Sequence, residues 1–460
     1  MTVWRTRCDG IVGARGYGAR VSAALTSPPA GSSVPPADAA ARVVDAVLAD
    51  LSAGDHRGVV VDSPPGAGKS TLVVRAAGML AAGGESLMIV AQTNEQVDDL
   101  IARLGDKSPA VTVGRLSAVD YAPSQRVLDH PCCRVGAKVG DLGAPAVTIG
   151  TAAKWATVTE GVWPWAIVDE AYQMRSDALL RVASRFARAL FVGDPGQLDP
   201  FSTVEVDRWT GLSWDPTQSA VAVLQRHNPS LPVHRLPVSW RLPASAAPVV
   251  AEAFYPFTGF RAGTGPGDRS LSFAHASESD LDDVLDTAAA TGWGLHELPA
   301  RFTVRTDAEA AAACASLAAR TLAREAVAVS ESGTGTLTPD RIAIGAAHRD
   351  QAAAIRAMLP ASAAGVTVDT ANRLQGREYD VTVVLHPLSG RQDATAFHLE
   401  SGRLCVLTSR HRHACVVVAR AGIAELLDAH PSTEPVHLNV PVKFPDGWEA
   451  NQSMLAHLRR

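Results

Sequence analysis

One short segment, Gly58–Leu72, constrains the fold more than any other part of the chain; it reads G-V-V-V-D-S-P-P-G-A-G-K-S-T-L. Its β-branched run, Val59–Val61, follows a glycine and has the character of a short buried parallel strand. A glycine-rich loop and Lys-Ser come next, and helix-forming residues then continue from Leu72 to Ala82. This order is the P-loop arrangement, in which backbone N–H groups and a helix N-terminus surround phosphate. The segment therefore predicts an α/β domain with a phosphate site.

The loop residues divide the work of holding a nucleotide. Lys69, one of five lysines in the chain, would hold the β- and γ-phosphates, and Ser70 would bind Mg²⁺. Ser63 stands where the usual pattern has its first glycine, but Pro64 stiffens the turn, so we expect the loop to keep its shape. The alternative is a glycine-rich turn that only caps a helix. The predicted nucleotide-binding residues of the loop are Pro65, Gly66, Ala67, Gly68, Lys69, Ser70 and Thr71.

A second segment, W-A-I-V-D-E-A-Y-Q, places two carboxylates at the end of a buried strand. The strand is Ala166–Val168, and Asp169 and Glu170 follow it directly. Buried carboxylates are costly unless a cation or a proton transfer uses them. Asp169 would bind Mg²⁺ through water, and Glu170 would deprotonate the attacking water. An acidic pair on the surface after an edge strand is the alternative.

A third apolar strand ends in a polar turn within A-L-F-V-G-D-P-G-Q-L-D-P, residues 189–200. The neutral amide of Gln197 can detect a γ-phosphate by hydrogen bonding. An ordinary polar turn residue is the alternative, because Gln is common in such turns.

Composition limits the class of protein. The chain has 460 residues, of which 47% are apolar and 19% charged, and these values indicate a globular protein of two or three domains. Its net charge of −5 means that nucleic-acid binding would need a local basic groove. The six cysteines are too sparse for a disulfide framework, and the spacing in D-H-P-C-C-R does not match a zinc site. Without a secretory signal or an apolar run of about 20 residues, we expect a cytoplasmic protein.

The order of these motifs resembles that of superfamily 1 helicases, on the branch that contains the nonsense-mediated-decay helicase. The resemblance covers roughly Gly58 to Val418 and implies an α/β fold with two tandem RecA-like P-loop domains built on parallel sheets. The further matching segments are Ile89–Leu100, Val147–Ala152, Leu236–Pro243, Phe254–Phe260, Ile344–Gln351, Thr370–Leu385 and Arg403–Arg412.

The resemblance also implies nucleotide-handling roles along the second half of the chain. Trp240 would stack on adenine, Arg241 would reach the γ-phosphate, and Arg410 would be the arginine finger, with Arg412 as the alternative. At the nucleotide edge would lie Gln375, Gly376 and Glu378. The implied catalytic set is therefore Lys69, Asp169, Glu170, Gln197, Arg241 and Arg410, acting on ATP with Mg²⁺.

A third group of positions would contact nucleic acid. Small polar side chains at strand ends suit phosphate contacts that are independent of sequence, although each of them alone could be a helix cap. The resemblance assigns this role to Thr93, Asn94, Thr151, His348, Thr370 and Asn372. The expected partner is single-stranded or partly duplex DNA or RNA, the expected direction is 5′ to 3′, and no protein partner can be named. An ATP-switched clamp without unwinding is the main alternative, and a small-molecule kinase is a remote one.

The domain limits follow from the motifs and from composition. We expect a flexible tail over residues 1–35, a first RecA-like domain over 36–235, a second over 236–430 and a C-terminal extension over 431–460. Residues 105–145 and 263–299 read as insertions, each too short for a large accessory domain. A helix is predicted over Asp38–Leu51. The family's adenine-reading glutamine is absent from Pro35–Val44, so we expect nucleoside triphosphates other than ATP to serve as well.

Overall fold

The computed structural model describes residues 34–198, 200, 209, 218–430 and 446–460. Most of the predicted N-terminal tail and residues 431–445 of the predicted C-terminal extension lie outside the described residues. None of the helices within these ranges is both long enough and apolar enough to cross a membrane.

The first half of the chain forms an eight-stranded parallel sheet in the order β4-β3-β5-β2-β6-β7-β1-β8. Its central strands are apolar on both faces because helices cover both faces, as is usual for parallel sheets. The strands are β1 (Gly58–Asp62), β2 (Leu87–Ala91), β3 (Val113–Leu116), β4 (Cys133–Gly136), β5 (Val147–Thr151), β6 (Trp163–Asp169), β7 (Phe186–Gly193) and β8 (Val233–Arg235).

The helices of this half pack their apolar faces on the sheet. The predicted first helix runs from Pro36 to Ala53, where Gly54 ends it in the left-handed conformation, and its Val47 and Leu51 are buried. The helices are α1 (Pro36–Ala53), α2 (Lys69–Ala82), α3 (Asn94–Lys107), α4 (Gln125–Leu128), α5 (Ala152–Trp155), α6 (Ser176–Ala183) and α7 (Ala220–His227).

The second half contains a five-stranded parallel sheet in the order β12-β18-β17-β15-β16. A parallel pair, β9-β10, and a small antiparallel sheet, β11-β13-β14, lie outside it. The strands are β9 (Val238–Ser239), β10 (Arg261–Ala262), β11 (Ser270–Phe273), β12 (Trp293–Leu298), β13 (Ala326–Ser330), β14 (Gly333–Thr336), β15 (Ile342–Ala346), β16 (Thr367–Thr370), β17 (Tyr379–Leu385) and β18 (His411–Arg420).

Nine helices surround these sheets among the described residues of the second half. The last helix packs against α8 and α14, so part of the predicted C-terminal extension is integral to this half. They are α8 (Ala247–Phe254), α9 (Asp280–Thr291), α10 (Ala308–Ala323), α11 (Arg349–Met358), α12 (Ala371–Leu374), α13 (Ala396–Leu399), α14 (Ser401–Thr408), α15 (Ile423–Ala429) and α16 (Gly447–Leu458).

The two segments that read as insertions instead complete the sheets. Residues 105–145 contain β3 and β4, which extend the first sheet at one edge, and residues 263–299 contain β12, which is an edge strand of the second. The sequence concealed these strands because edge strands are short and carry polar residues. Within the acidic run of α9, Asp282 is not a solvated residue: it is fully buried and paired with Arg320.

Candidate nucleotide-binding site

The P-loop connects β1 to α2 through a tight glycine turn. Gly66 and Gly68 have φ angles of 71° and 87°, which a side chain would strain. A Cβ atom at Gly66 would lie only 2.3 Å from Cβ of Arg241, so the loop also packs directly on a segment of the second half. The local sequence therefore builds a backbone cradle at the N-terminus of α2, where phosphate binds favourably.

The predicted lysine and the two predicted carboxylates meet at the carboxyl edge of the first sheet. Lys69 Nζ forms an ion pair with Oε1 of Glu170, and the backbone N–H of Glu170 donates to Oδ1 of Asp169 at 3.0 Å. Gln173 Nε2 donates to the other oxygen of Glu170 at 2.8 Å. Glu170 has φ of 53°, an uncommon value for a residue other than glycine, and such strain clusters at functional sites.

Burial dominates the electrostatics of these groups. It raises the pKa of Asp169 to about 6, although Lys69 opposes the shift. Burial also acts to lower the pKa of Lys69, but the Glu170 and Asp169 carboxylates outweigh it and the net pKa is raised. Lys69 is therefore a firmly protonated cation held by carboxylates, ready to exchange them for a more highly charged anion such as phosphate.

Asp194, at the end of β7, connects this edge to the second half of the chain. Tyr255 OH donates to Oδ1 of Asp194 at 2.7 Å, and Gln197 Nε2 donates to Oδ2 at 2.5 Å. Gln375 Nε2 in turn donates to Oε1 of Gln197 at 2.7 Å. A Cβ atom at Gly402 would lie 2.4 Å from the Gln197 carbonyl oxygen, so α14 also touches this turn. Gln197, the predicted γ-phosphate sensor, thus directly contacts the loop of residues 375–378, which we call the QGRE loop.

The residues after β9 form the opposite wall of the P-loop. Ser239 Oγ donates to the carbonyl of Pro65 at 2.6 Å, and the backbone N–H of Trp240 donates to the carbonyl of Gly66 at 2.9 Å. The indole of Trp240 is 40% exposed, which leaves surface for a nucleotide base. Arg241 Nε donates to Oε2 of Glu378 at 3.0 Å, so this arginine is paired with the predicted ribose residue.

The predicted arginine finger, Arg410, is a buried residue and is not exposed to solvent. Arg410 is 1% exposed, and its guanidinium donates to the Val406 carbonyl at 3.0 Å and to Ser409 Oγ at 2.9 Å. Burial, reinforced by the positive charge of Arg241, lowers the pKa of Arg410 to about 10. Two like charges held near each other in this way favour an anion between them.

Arg412, the alternative finger, points to a different partner. Its Nη2 lies 3.3 Å from Oε2 of Glu331, an exposed residue in the turn between β13 and β14. The two candidates thus have distinct environments: Arg410 is enclosed beside Arg241, whereas Arg412 is paired at the surface.

The residues present fit a magnesium–nucleotide complex. Ser70 offers a hydroxyl and Asp169 a carboxylate beside the phosphate cradle, and Mg²⁺ typically takes one or two such protein ligands and fills its shell with phosphates and water. No group of three or more His, Cys, Asp or Glu residues is arranged to hold a metal alone within the parts of the chain that the structure describes.

The predicted nucleic-acid residues of the first half lie at two neighbouring strand ends. Thr93 and Thr151 are N-caps of α3 and α5, and each hydroxyl accepts a backbone N–H at 3.2 Å. Thr151 is paired in register with Ala91, so the two threonines follow adjacent strands. Asn94 Oδ1 accepts a hydrogen bond from Arg115 at 3.2 Å.

The predicted nucleic-acid residues of the second half also lie at two neighbouring strand ends. His348 follows β15 and Thr370 ends β16, and these strands are neighbours in register at Ala346 and Thr370. The His348 ring stacks on Phe397 with centroids 4.8 Å apart, and its Nε2 lies 3.0 Å from Nε2 of His398.

The QGRE loop connects this second edge to the first. Asn372 accepts from Arg403 at 3.4 Å and is itself exposed. Arg377 Nη2 lies 3.9 Å from Oε2 of Glu95, at the start of α3. Gly376, with φ of 79°, has open space around it. The loop therefore touches the nucleotide turn through Gln375 and the edge near Thr93 through Arg377.

Sequence reasoning missed several supporting residues. Tyr255 lies in the quoted F-Y-P-F segment and Gln173 ends the D-E-A-Y-Q segment, so the motif resemblance could have pointed to both. Ser239 and Arg403 lie in the matched segments Leu236–Pro243 and Arg403–Arg412, but nothing in the sequence shows that they pair with Pro65 and Asn372.

Comparisons with known proteins agree with the motif order. A family model described as an AAA domain matches residues 45–208, and a second, also described as an AAA domain, matches residues 300–422. A search of curated proteins finds no match.

Solved structures of low similarity were also found. One, titled as the structure of the PRRSV helicase, shares 14% identity over 88% of this chain and 60% of its own, with a TM-score of 0.43. Another, an arterivirus nonstructural protein 10 helicase in complex with DNA, shares 15% identity over 85% of this chain and 65% of its own, with a TM-score of 0.42. This chain thus spans less than two thirds of either.

The order of the motifs agrees with the two family matches. Both matched regions carry helicase motifs: the first includes the P-loop and the D-E-A-Y-Q segment, and the second includes the QGRE loop and the segment of Arg410. The chain is therefore a P-loop ATPase with two AAA-type regions, and its motifs are those of superfamily 1 helicases.

Proposed function

We propose that this protein hydrolyses ATP between two RecA-like domains, residues 36–235 and 236–430, and uses the cycle to move 5′ to 3′ along single-stranded DNA or RNA. The strongest support for this proposal is a set of contacts between the first and second halves of the chain, along a boundary that we call the seam. Asp194 accepts from Tyr255, Gln197 accepts from Gln375, and the P-loop packs on Arg241. A nucleotide at this seam would contact both halves at once.

In this proposal the first half binds the triphosphate and supplies the base. Backbone N–H groups of the P-loop hold the phosphates, and Lys69 leaves Glu170 to bind the β- and γ-phosphates. The freed carboxylate of Glu170, still oriented by Gln173, then accepts a proton from the attacking water. Mg²⁺, held by Ser70 and by Asp169 through water, would neutralise phosphate charge.

The second half supplies positive charge where the transition state needs it. Arg241 and Arg410 stabilise charge on the transferred phosphoryl group, and Trp240 stacks on the base. Gln197 detects the γ-phosphate, while Gln375, Gly376 and Glu378 line the edge of the site. Loss of the γ-phosphate weakens the link between the halves, as in other nucleotide switches.

The nucleic-acid track in this proposal runs over the carboxyl edges of both sheets. Thr93, Asn94 and Thr151 would hold phosphates on the first half, and His348, Thr370 and Asn372 on the second. Such contacts ignore base identity and so allow movement along any sequence. Opening and closing of the seam would then change the distance between these two sets of phosphate contacts.

The first test compares ATP hydrolysis with and without single-stranded nucleic acid. We expect stimulation by single-stranded DNA, single-stranded RNA or both, and similar hydrolysis of ATP and GTP because the adenine-reading glutamine is missing. Hydrolysis that neither strand stimulates would contradict the proposal. Partly duplex substrates with a single 5′ or 3′ overhang test direction, since a 5′-to-3′ motor displaces the strand only from the 5′ overhang.

An ATP-switched clamp is the second candidate, and one observation favours it. Both segments that read as insertions, residues 105–145 and 263–299, instead supply strands to the edges of the two sheets. A strand-displacement assay separates the two candidates, because a clamp would bind nucleic acid in the presence of ATP yet release no strand.

A further inference from the structure

Arg269 holds the backbone of the Trp240–Arg241 segment. Its Nη2 donates to the carbonyl of Trp240 at 2.8 Å, and its Nη1 donates to the carbonyl of Arg241. The side chain of Arg269 is only 3% exposed. Because one guanidinium bridges two successive carbonyls, it restricts rotation of the backbone that carries both side chains.

Glu331 holds Arg269 in turn. Arg269 Nε donates to Oε1 of Glu331 at 2.9 Å, and Arg412 lies 3.3 Å from the other carboxylate oxygen. Glu331 belongs to the two-residue turn between β13 and β14, and register pairing of Ser330 with Gly333 closes that hairpin. The planar guanidinium of Arg269 therefore donates to three acceptors, which are the carbonyls of Trp240 and Arg241 and the carboxylate of Glu331. Its position is fixed before any ligand binds.

The same segment is supported on its other side by a glycine. A Cβ atom at Gly263 would lie 2.3 Å from Cε3 of Trp240, so the indole rests directly on the backbone after β10. Gly263 N–H donates to the Ser239 carbonyl at 2.7 Å, which fixes this support. With Arg269 behind the backbone and Gly263 beside the ring, the indole has little freedom of its own.

We propose that Arg269, secured by Glu331, is a positioning residue that holds the Trp240 ring ready to stack on the nucleotide base and Arg241 ready to reach the phosphates. The inference rests on the proposed nucleotide site but does not require hydrolysis or movement on nucleic acid. It extends the site to the hairpin β13–β14, which carries none of the residues identified from the motifs.

The test measures binding of fluorescent mant-ADP to the full chain without nucleic acid. ADP has no γ-phosphate, so the predicted γ-phosphate contact of Arg241 is removed and the base contact of Trp240 remains. We expect Trp240→Ala to weaken mant-ADP binding about tenfold, because the base loses the aromatic side chain on which it stacks. Arg269→Ala should weaken it about fivefold to tenfold, and Glu331→Gln about threefold.

A double-mutant cycle separates positioning from a general structural effect. If Arg269 acts through Trp240, the double variant should bind mant-ADP about tenfold more weakly than the wild type, like Trp240→Ala alone. A loss of about a hundredfold would mean that the two residues act independently and would overturn the inference. Unchanged affinity of Arg269→Ala, or of Trp240→Ala, would overturn it as well.

Arg324→Ala is the matched control. Arg324 is also a buried arginine beside the small sheet, but it donates to the carbonyls of His275 and Asp282 and pairs with Asp286, away from the Trp240 segment. The mant-ADP affinity of Arg324→Ala should stay within twofold of the wild type. A loss equal to that of Arg269→Ala would mean that removing any arginine near this sheet disturbs the site.

If Arg269→Ala does not fold, Glu331→Gln and Arg269→Lys provide the same test. A wild type that binds mant-ADP but hydrolyses no ATP would refute the proposed motor and leave this inference supported by the cycle.

Discussion

The nucleotide seam and the candidate nucleic-acid edges lie at the carboxyl ends of the same two sheets, but they are built in different ways. At the seam, polar side chains of the two halves contact each other, as Gln197 does with Gln375. At the edges, Thr93, Thr151 and His348 start helices and are held within their own halves. One region is closed by contacts between the halves, and the other presents two similar surfaces side by side.

This difference has a physical cause. A γ-phosphate must be surrounded to be cleaved, because its charge is stabilised best where water is excluded. A strand that must slide needs contacts that are weak one by one and indifferent to the base. The loop with Gln375 and Arg377 touches both regions, so it can transmit the state of one to the other.

Removing the predicted arginine finger should have the largest effect. We expect Arg410→Ala to lower kcat for ATP by about 10³-fold or more, within the range for arginine fingers. Arg412→Ala is the control and should change kcat less than tenfold, because Arg412 is paired with Glu331 at the surface. Steady-state ATPase assays check both variants, and a reversed order would assign the finger to Arg412.

Removing the predicted base should affect hydrolysis and binding in opposite directions. Glu170→Gln should lower kcat by about 10²–10⁴-fold, the range for a general base. ATP binding should stay the same or become tighter, since Lys69 would no longer be paired with a carboxylate. Single-turnover hydrolysis and equilibrium binding measure the two quantities separately. A variant that hydrolyses ATP normally would show that Glu170 is only a partner of Lys69.

The ionised carboxylate of Asp194, a residue at the seam, should lower the free energy of unfolding. Burial raises the pKa of Asp194 to about 6, above the usual 3.8, so its ionised form disfavours folding. The free energy of unfolding therefore falls as the pH rises from about 4 to 6, because the folded state binds the proton more tightly. We expect Asp194→Asn to be more stable than the wild type by about 3 kcal/mol above pH 6 and to lose this advantage near pH 4. Denaturant titrations at several pH values test this, and an advantage that did not vary with pH would refute the electrostatic cause.

The smallest effects should appear at the nucleic-acid edges. Thr151→Ala removes both a helix cap, worth about 1 kcal/mol of stability, and the predicted phosphate contact. Thr151→Ser keeps both. We expect Thr151→Ala to weaken binding of single-stranded nucleic acid severalfold while ATP hydrolysis without nucleic acid changes little. Fluorescence anisotropy of a labelled strand checks this, and equal affinity for both variants would leave Thr151 with only its capping role.

The fold was accessible from the sequence where strands are apolar on both faces. The strand predicted at Val59–Val61 runs from Gly58 to Asp62, and the strand predicted at Ala166–Val168 proved longer, running from Trp163 to Asp169. Strands β3, β4 and β12, at or next to the edges of the sheets, were missed, because short strands with polar residues resemble loops. The antiparallel sheet β11-β13-β14 was also missed: its pairing depends on partners far apart in the sequence, and β14 is composed only of Gly and Thr.

The sequence by itself determined the chemistry of this protein, because a P-loop, a strand ending in Asp-Glu and the motif arginines depend on residue type and local spacing. The tertiary structure decided which groups meet. It enclosed Arg410 beside Arg241 while pairing Arg412 with Glu331, and it placed Arg269 behind Trp240. Contacts of this kind join residues far apart in the sequence, such as Gln197 and Gln375, which are 178 positions apart, and only the packing of the two halves selects them.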